Sequence, residues 1–146
     1  MEHKQATLTY IVGKPYDTTL RSLRAALKTE GLEIPMEMDI SGAIRREFGI
    51  ALKACSFLYV CCPFLLLEAF VMDTPCTGFL PLQVAVSETS GQTLISLLEP
   101  PAVDETELPF NVRTPMMRLQ TRVQKIVKSL EEESGHHCPQ LDHLRL

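Results

Sequence analysis

A chain of 146 residues with 45% apolar and 22% charged side chains has the balance of an ordinary globular protein, long enough to bury roughly 70% of its unfolded surface without disulfides or metal. Its formal net charge of -4 offers no general attraction to phosphate backbones or anionic lipid, so neither nucleic acid nor membrane is an expected partner. The odd set of cysteines (Cys55, Cys61, Cys62, Cys76, Cys138) and an N-terminal MEHKQATLTY without the apolar stretch of a secretory signal lead us to expect a reducing, cytoplasmic setting.

Residues 7–12, TLTYIV, alternate as a strand does, and after a turn at Gly13 to Tyr16 an Asp17 cap is expected to open a helix. Leu20, Leu23, Ala26 and Leu27 form its apolar stripe, Arg21, Arg24 and Lys28 lie mostly outside it, and Gly31 is the stop signal. In LEIPMEMD, residues 32–39, Leu32, Ile34, Met36 and Met38 alternate with polar residues and proline. That period of two predicts a half-buried strand, and Pro35 directs it towards a sheet edge. Ser41 to Phe48, ending at Gly49, reads as a short helix.

The next stretch, ACSFLYVCCPFLLLEAFVM over residues 54–72, carries one charge in nineteen positions. A bilayer span needs about 20 apolar residues in one helix, which makes the length barely sufficient. Pro63 would break such a helix at its middle, and Glu68 would set a carboxylate in hydrocarbon. The two halves also differ in kind. SFLYVCC is aromatic, β-branched or small, as strands prefer, whereas FLLLEAF is Leu-rich and suits a helix with Pro63 in its first position. A strand that becomes a helix at Pro63, inside a water-soluble body, satisfies both.

Beyond the turn TPCTG, FLPLQVAVSE places Leu80, Leu82, Val84 and Val86 on one strand face and Phe79, Pro81, Gln83 and Ala85 on the other. Ser90-Gly91 joins it to TLISLLE as a hairpin. Residues 99–113, with three prolines and four acids, read as a surface loop. Thr114-Pro115 then predicts the start of a long last helix, with Met116, Leu119, Val123, Ile126, Val127 and Leu130 as its stripe and three carboxylates at its end that favour fraying. Residues 134–146 read as a flexible tail after one domain over 1–133. The order β-α-β-(short α)-β-α-β-β-α points to an α+β protein with about five mostly antiparallel strands, the first and last helices covering one face. The third helix, apolar nearly all round, needs something more to bury it.

With these elements placed, the chain resembles the domain of unknown function family 302 (DUF 302), small and largely prokaryotic proteins, over about residues 10–130. The resemblance is carried by the helix after PYDTTL, by GLEIPMEMDISGAIRREFGI, by VCCP, by LLLEAFVMD, and by the hairpin from GFLPLQVAV to LLEP. It implies a TATA-binding-protein-like curved antiparallel sheet packed by helices, commonly a homodimer, and no settled activity. Where the family places Cys-Asn before the proline this chain has Cys61-Cys62; where the family has Leu-Leu-Pro-Cys-Asn-Val it reads FLPLQV. Leu82 and Gln83 thus stand in the places of a second family cysteine and its asparagine, and any pairing of the two family cysteines is lost here.

The residues themselves offer four candidates for chemistry. Adjacent on a strand, Cys61 and Cys62 face opposite sides of the sheet and cannot share one unstrained disulfide or one metal, so one of them at most belongs to a given site. A thiol at the helix N-terminus gains thiolate character from the dipole, although buried cysteine is more often an inert small apolar residue. Glu68, the one acid of an apolar helix, must reach solvent, a basic partner or a ligand. Gln83 could hydrogen-bond a ligand from the sheet or simply meet solvent. The tail residues His136, His137, Cys138 and His143 have zinc- or copper-like donors on a segment with no scaffold, for which a solvated tail is the simpler reading. No Gly-rich phosphate loop, nucleophile elbow or Ser-His-Asp order stands out, and the sequence points to no particular cofactor.

The leading expectation is a homodimeric small-ligand-binding or interaction module, with Cys61, Cys62, Glu68 and Gln83 lining a pocket between sheet and helices or an interface. The alternative is a thiol-dependent enzyme using Cys61 or Cys62 with Glu68 as acid or base. A DNA-bending role lacks the basic, wedge-bearing sheet surface it requires.

Overall fold

A computed structural model of the protein describes residues 7–71, 82–98 and 110–135. In chain order the elements are β1 (Thr7–Val12), α1 (Tyr16–Thr29), β2 (Glu33–Asp39), α2 (Ile40–Phe48), β3 (Cys55–Cys61), α3 (Pro63–Val71), β4 (Leu82–Thr89), β5 (Gln92–Leu98) and α4 (Phe110–Glu133). The strands form one antiparallel sheet in the order β1-β5-β4-β3-β2. The expected α+β order is observed, and the chain does pass from strand to helix at Pro63. Among the described residues no helix is long and apolar enough to cross a membrane.

Alternation along the three central strands decides where the core sits. Leu58 and Val60 of β3, Val84 and Val86 of β4, and Ile95 and Leu97 of β5 point to one inner face and are fully buried. Against them pack Leu23 and Leu27 of α1 and Leu119, Val123, Ile126 and Val127 of α4, the stripes expected from helical spacing. Each such aliphatic contributes about 1.5–3 kcal/mol through its removal from water, which makes this layer the main source of stability. Two buried threonines on the core side, Thr19 and Thr93, both donate their hydroxyls to the Lys14 carbonyl, at 3.3 and 2.9 Å, and so fix the turn between β1 and α1. At the hairpin, Thr89 pairs with Gln92 across Ser90 (φ 48°) and Gly91 (φ 77°), a two-residue loop whose left-handed pair matches the twist of the strands.

The strand β2 departs from the expected half-buried ribbon. Its pairing with β3 runs Glu33↔Cys61 and then Met36↔Tyr59, so three residues span what two do opposite. This bulge, at Pro35, reverses the phase of a pattern that is unbroken in sequence. Leu32 joins the core and Ile34 packs against it, whereas Met36 and Met38 are exposed. They share the outer face with Tyr59 and Phe57, and Glu37 turns inward. As expected from Pro35, β2 is an edge strand; β1 is the other edge. There the Ile11 N–H donates to the Glu131 carboxylate of α4 at 2.9 Å, which occupies a donor that an incoming strand would need.

Three helix ends also differ from expectation. Asp17 lies within the first turn of α1, not at its cap; Pro15 holds that position and makes no side-chain cap bond. Proline is suited to lead the chain into a helix because its φ is already set. The last helix begins at Phe110, a turn before Thr114-Pro115, with Pro115 inside it at the cost of one backbone hydrogen bond. Its acidic end is closed rather than frayed: Gly135 (φ 68°) donates its N–H to the Glu132 carbonyl, Ser134 to Leu130, and Glu131 is held by Ile11. The expected loop over 99–113 lies outside the described residues as far as 109, and the tail does so from residue 136.

Candidate functional site

The outer face of the sheet carries Phe57 and Tyr59 of β3, Gln83 and Ala85 of β4, and Met36 and Met38 of β2, none of them fully buried. Tyr59 stands opposite both Met36 and Gln83, and Cys61, two residues further along β3, shares its face. Gln83 and Cys61 are therefore diagonal neighbours around Tyr59, with Gln83 half-buried and Cys61 buried. Cys62 goes the other way, into the core cluster with Leu65. The structure thus brings together two of the four expected residues, and on the face away from α1 and α4. The space between sheet and helices is filled by aliphatic core.

The two adjacent thiols differ in their surroundings as well as in face. Burial, then the neighbouring Glu33 carboxylate and Cys62, push the Cys61 thiol up from its ordinary value of 9.0, so it stays protonated at neutral pH. It is a weak nucleophile and a small, polarizable contact. Cys62 is the residue before Pro63, the first of α3, and receives an N–H from Arg122 of α4 at 3.4 Å. A second guanidinium N–H of Arg122 goes to the Glu30 carbonyl at the end of α1. One side chain therefore ties the sulfur to the two helices that cover the sheet. Glu68 lies on α3, and its side chain is outside the described part of the structure, as are Cys76, His136, His137, Cys138 and His143. Among the described residues no group of three or more His, Cys, Asp or Glu is placed to hold a metal ion.

Among the described side chains of α3, the large exposed ones are apolar. Leu65 faces the core, while Phe64, Leu67 and Val71, three and four positions apart, form a stripe open to solvent. Among the described side chains of this helix only Leu65 is buried.

A second feature escaped the sequence reading. An open cleft of about 520 Å³ runs between the start of α1 and the β2 side of the inner face, lined among others by Tyr16, Arg24, Glu37, Asp39, Ser56 and Glu88. At its floor the Tyr16 hydroxyl donates to Ser56 Oγ at 2.7 Å. Burial raises the tyrosine's pKa above 10.0, against the lowering effect of that hydrogen bond, and Asp39 adds to the rise. Arg24 forms a two-pronged pair with Glu37 across the rim. Asp39 caps α2, accepting from the Gly42 N–H at 3.0 Å and from the Ser41 hydroxyl at 2.9 Å. These bonds, with Arg46 and Arg45 nearby, hold its carboxyl below the ordinary 3.8. One sequence signal pointed here: Ser56 is the polar residue in phase with the buried Leu58 and Val60, and a hydroxyl there requires a partner.

A family model described as "Domain of unknown function DUF302" matches residues 8–133, from the first strand to the end of the last helix. The chain belongs to the DUF302 family. Among solved structures, an uncharacterized conserved DUF302 protein from Bacillus stearothermophilus shares the fold at a TM-score of 0.72 and 18% identity, covering 84% of this chain and 95% of that one. No curated protein matches. The DUF302 match includes every strand of the sheet, so both the outer face and the Tyr16 cleft belong to the family domain.

Proposed function

We propose that this DUF302 domain is a homodimeric binding module of the cytoplasm. Its ligand contacts are the outer-face residues Cys61 and Gln83 with Tyr59 between them, and its subunit contact is the open stripe of α3, the helix whose sequence includes Glu68. The observation that carries this reading is the stripe of Phe64, Leu67 and Val71, each at least 60% exposed on a helix with no basic residue. Three large apolar side chains at helical spacing present a contiguous apolar surface that a partner could cover. A second copy of the same stripe would cover it in a two-fold, self-complementary contact. On the outer face, the Gln83 amide and the Tyr59 hydroxyl offer both donors and acceptors beside the soft Cys61 sulfur, amid Met36 and Phe57. That chemistry fits a small, flat, partly polar molecule.

Native mass spectrometry of the freshly purified protein tests both parts, since it reports subunit count and retained small molecules together. A dimer that Leu67→Glu converts to folded monomer is the expected result. A monomeric wild type at micromolar concentration would overturn the dimer.

The Arg122 contact favours a second reading, in which Cys62 is the nucleophile of a thiol-dependent enzyme with Glu68 as acid or base. The guanidinium lies against the sulfur, and Cys62 directly precedes the first residue of α3. Under this reading iodoacetamide alkylates Cys62 of the folded protein rapidly, and Arg122→Met slows it. Uniform resistance of all thiols in the folded state counts against the enzyme.

A further inference from the structure

We propose that residues 45–53, the end of α2 and the segment leading to β3, dock the protein on an anionic lipid surface. All nine residues of RREFGIALK are exposed. Phe48 is 72% accessible, Ile50 53% and Leu52 47%, and the same nine residues hold Arg45, Arg46 and Lys53 against the single carboxylate of Glu47. Large apolar groups interleaved with cations are the composition that settles at a charged bilayer surface, the apolar groups entering the acyl boundary and the cations remaining among the headgroups.

Charge distinguishes this patch from the α3 stripe. The stripe has apolar bulk and no cation, which suits a protein surface. The 45–53 segment has both, in a chain whose total charge is -4. Taken together the remaining residues are net negative even with the cations of α4 among them, whereas the segment is net positive and is drawn to an anionic membrane. That opposition orients the protein as well as attracting it, over a range of about 8 Å at physiological salt.

The segment is also held in place. Its entry is fixed by the Asp39 cap on α2, and α2 is ended by Gly49 in the left-handed region, φ 67°, with its N–H on the Arg45 carbonyl. Its exit is fixed by the Cys55 N–H on Ser41 Oγ at 3.2 Å and by the Glu88 N–H on the Ala54 carbonyl at 2.9 Å. Anchored at both ends, the exposed apolar groups need little further ordering to enter the interface, so little entropy opposes docking.

The chain has no tryptophan, so Phe48→Trp supplies a single reporter at the tip. With the full-length protein we expect flotation with vesicles of mixed phosphatidylcholine and phosphatidylserine, a blue shift of the Phe48→Trp emission on those vesicles, and neither effect with phosphatidylcholine alone. Binding should fall steeply with added salt. The variant Arg45→Gln/Arg46→Gln/Lys53→Gln should bind on the order of a hundredfold more weakly, and Phe48→Ser/Ile50→Ser/Leu52→Ser should not bind, each with an unchanged circular dichroism spectrum. Absence of wild-type flotation at low salt, or an unshifted tryptophan, overturns the proposal. So does concentration-dependent self-association that the triple serine variant abolishes without any vesicle binding, because it would assign the segment to a second copy of the chain.

Discussion

The two faces of β3 are built from neighbouring residues and have opposite fates. Leu58 and Val60 are sealed under α1 and α4, while Phe57 and Tyr59, one position away, stay half-buried on a face those helices leave open. A strand has no preference between its sides beyond what covers them, so the helices divide a uniformly apolar segment into core and surface. The inner face is where stability resides; the outer face contributes less buried area to it.

The sharpest challenge to that division is Leu58→Ala, which leaves a cavity in packed core and should lower the unfolding free energy by about 2–5 kcal/mol in urea titration. Tyr59→Ala, beside it in sequence, should cost about 1 kcal/mol or less. Equal losses would mean that something covers the outer face after all. At the polar end of the inner face the expected effects are intermediate. A Cβ on residue 42 would collide with the Asp39 carboxylate, so Gly42→Ala should displace the cap and cost about 0.5–2 kcal/mol despite the better helix propensity of alanine. Removing the tyrosine hydroxyl from the floor of the cleft by Tyr16→Phe should cost about 1 kcal/mol.

The same cap gives a pH dependence. Asp39 has a depressed folded pKa, so its contribution is complete above the unfolded value near 3.8 and is lost as pH falls through the lower folded value. Acid titration of stability should accordingly show a loss below about pH 4 that is smaller in Asp39→Asn. The smallest change belongs to Gln83→Ala, expected within about 0.5 kcal/mol of wild type because the side chain is only half-buried. Its effect should appear in retention of the outer-face ligand by native mass spectrometry instead.

What could be read directly was whatever depends on neighbours along the chain. Helical spacing marked Leu23, Leu27, Val123 and Val127 as core, Ser90-Gly91 marked the hairpin, and Pro63 marked the change from strand to helix, each now seen in place. The opposite facing of Cys61 and Cys62 was equally local. The phase of β2 was not legible, because a bulge leaves no trace in an alternation that continues straight through it, and Met36 and Met38 moved from expected core to surface. The Tyr16 cleft was hidden for a related reason: its walls come from α1, β2, β3 and β4, and only Ser56 hinted at it.

Sequence alone thus determined the kind and order of elements, since propensity, periodicity and turn chemistry act over a few residues. Tertiary structure decided which side of the sheet the helices would take, and with it that Cys61, Tyr59 and Gln83 lie on the face away from α1 and α4. That choice depends on long-range packing, where one layer of helices can bury one face of a sheet and leave the other exposed.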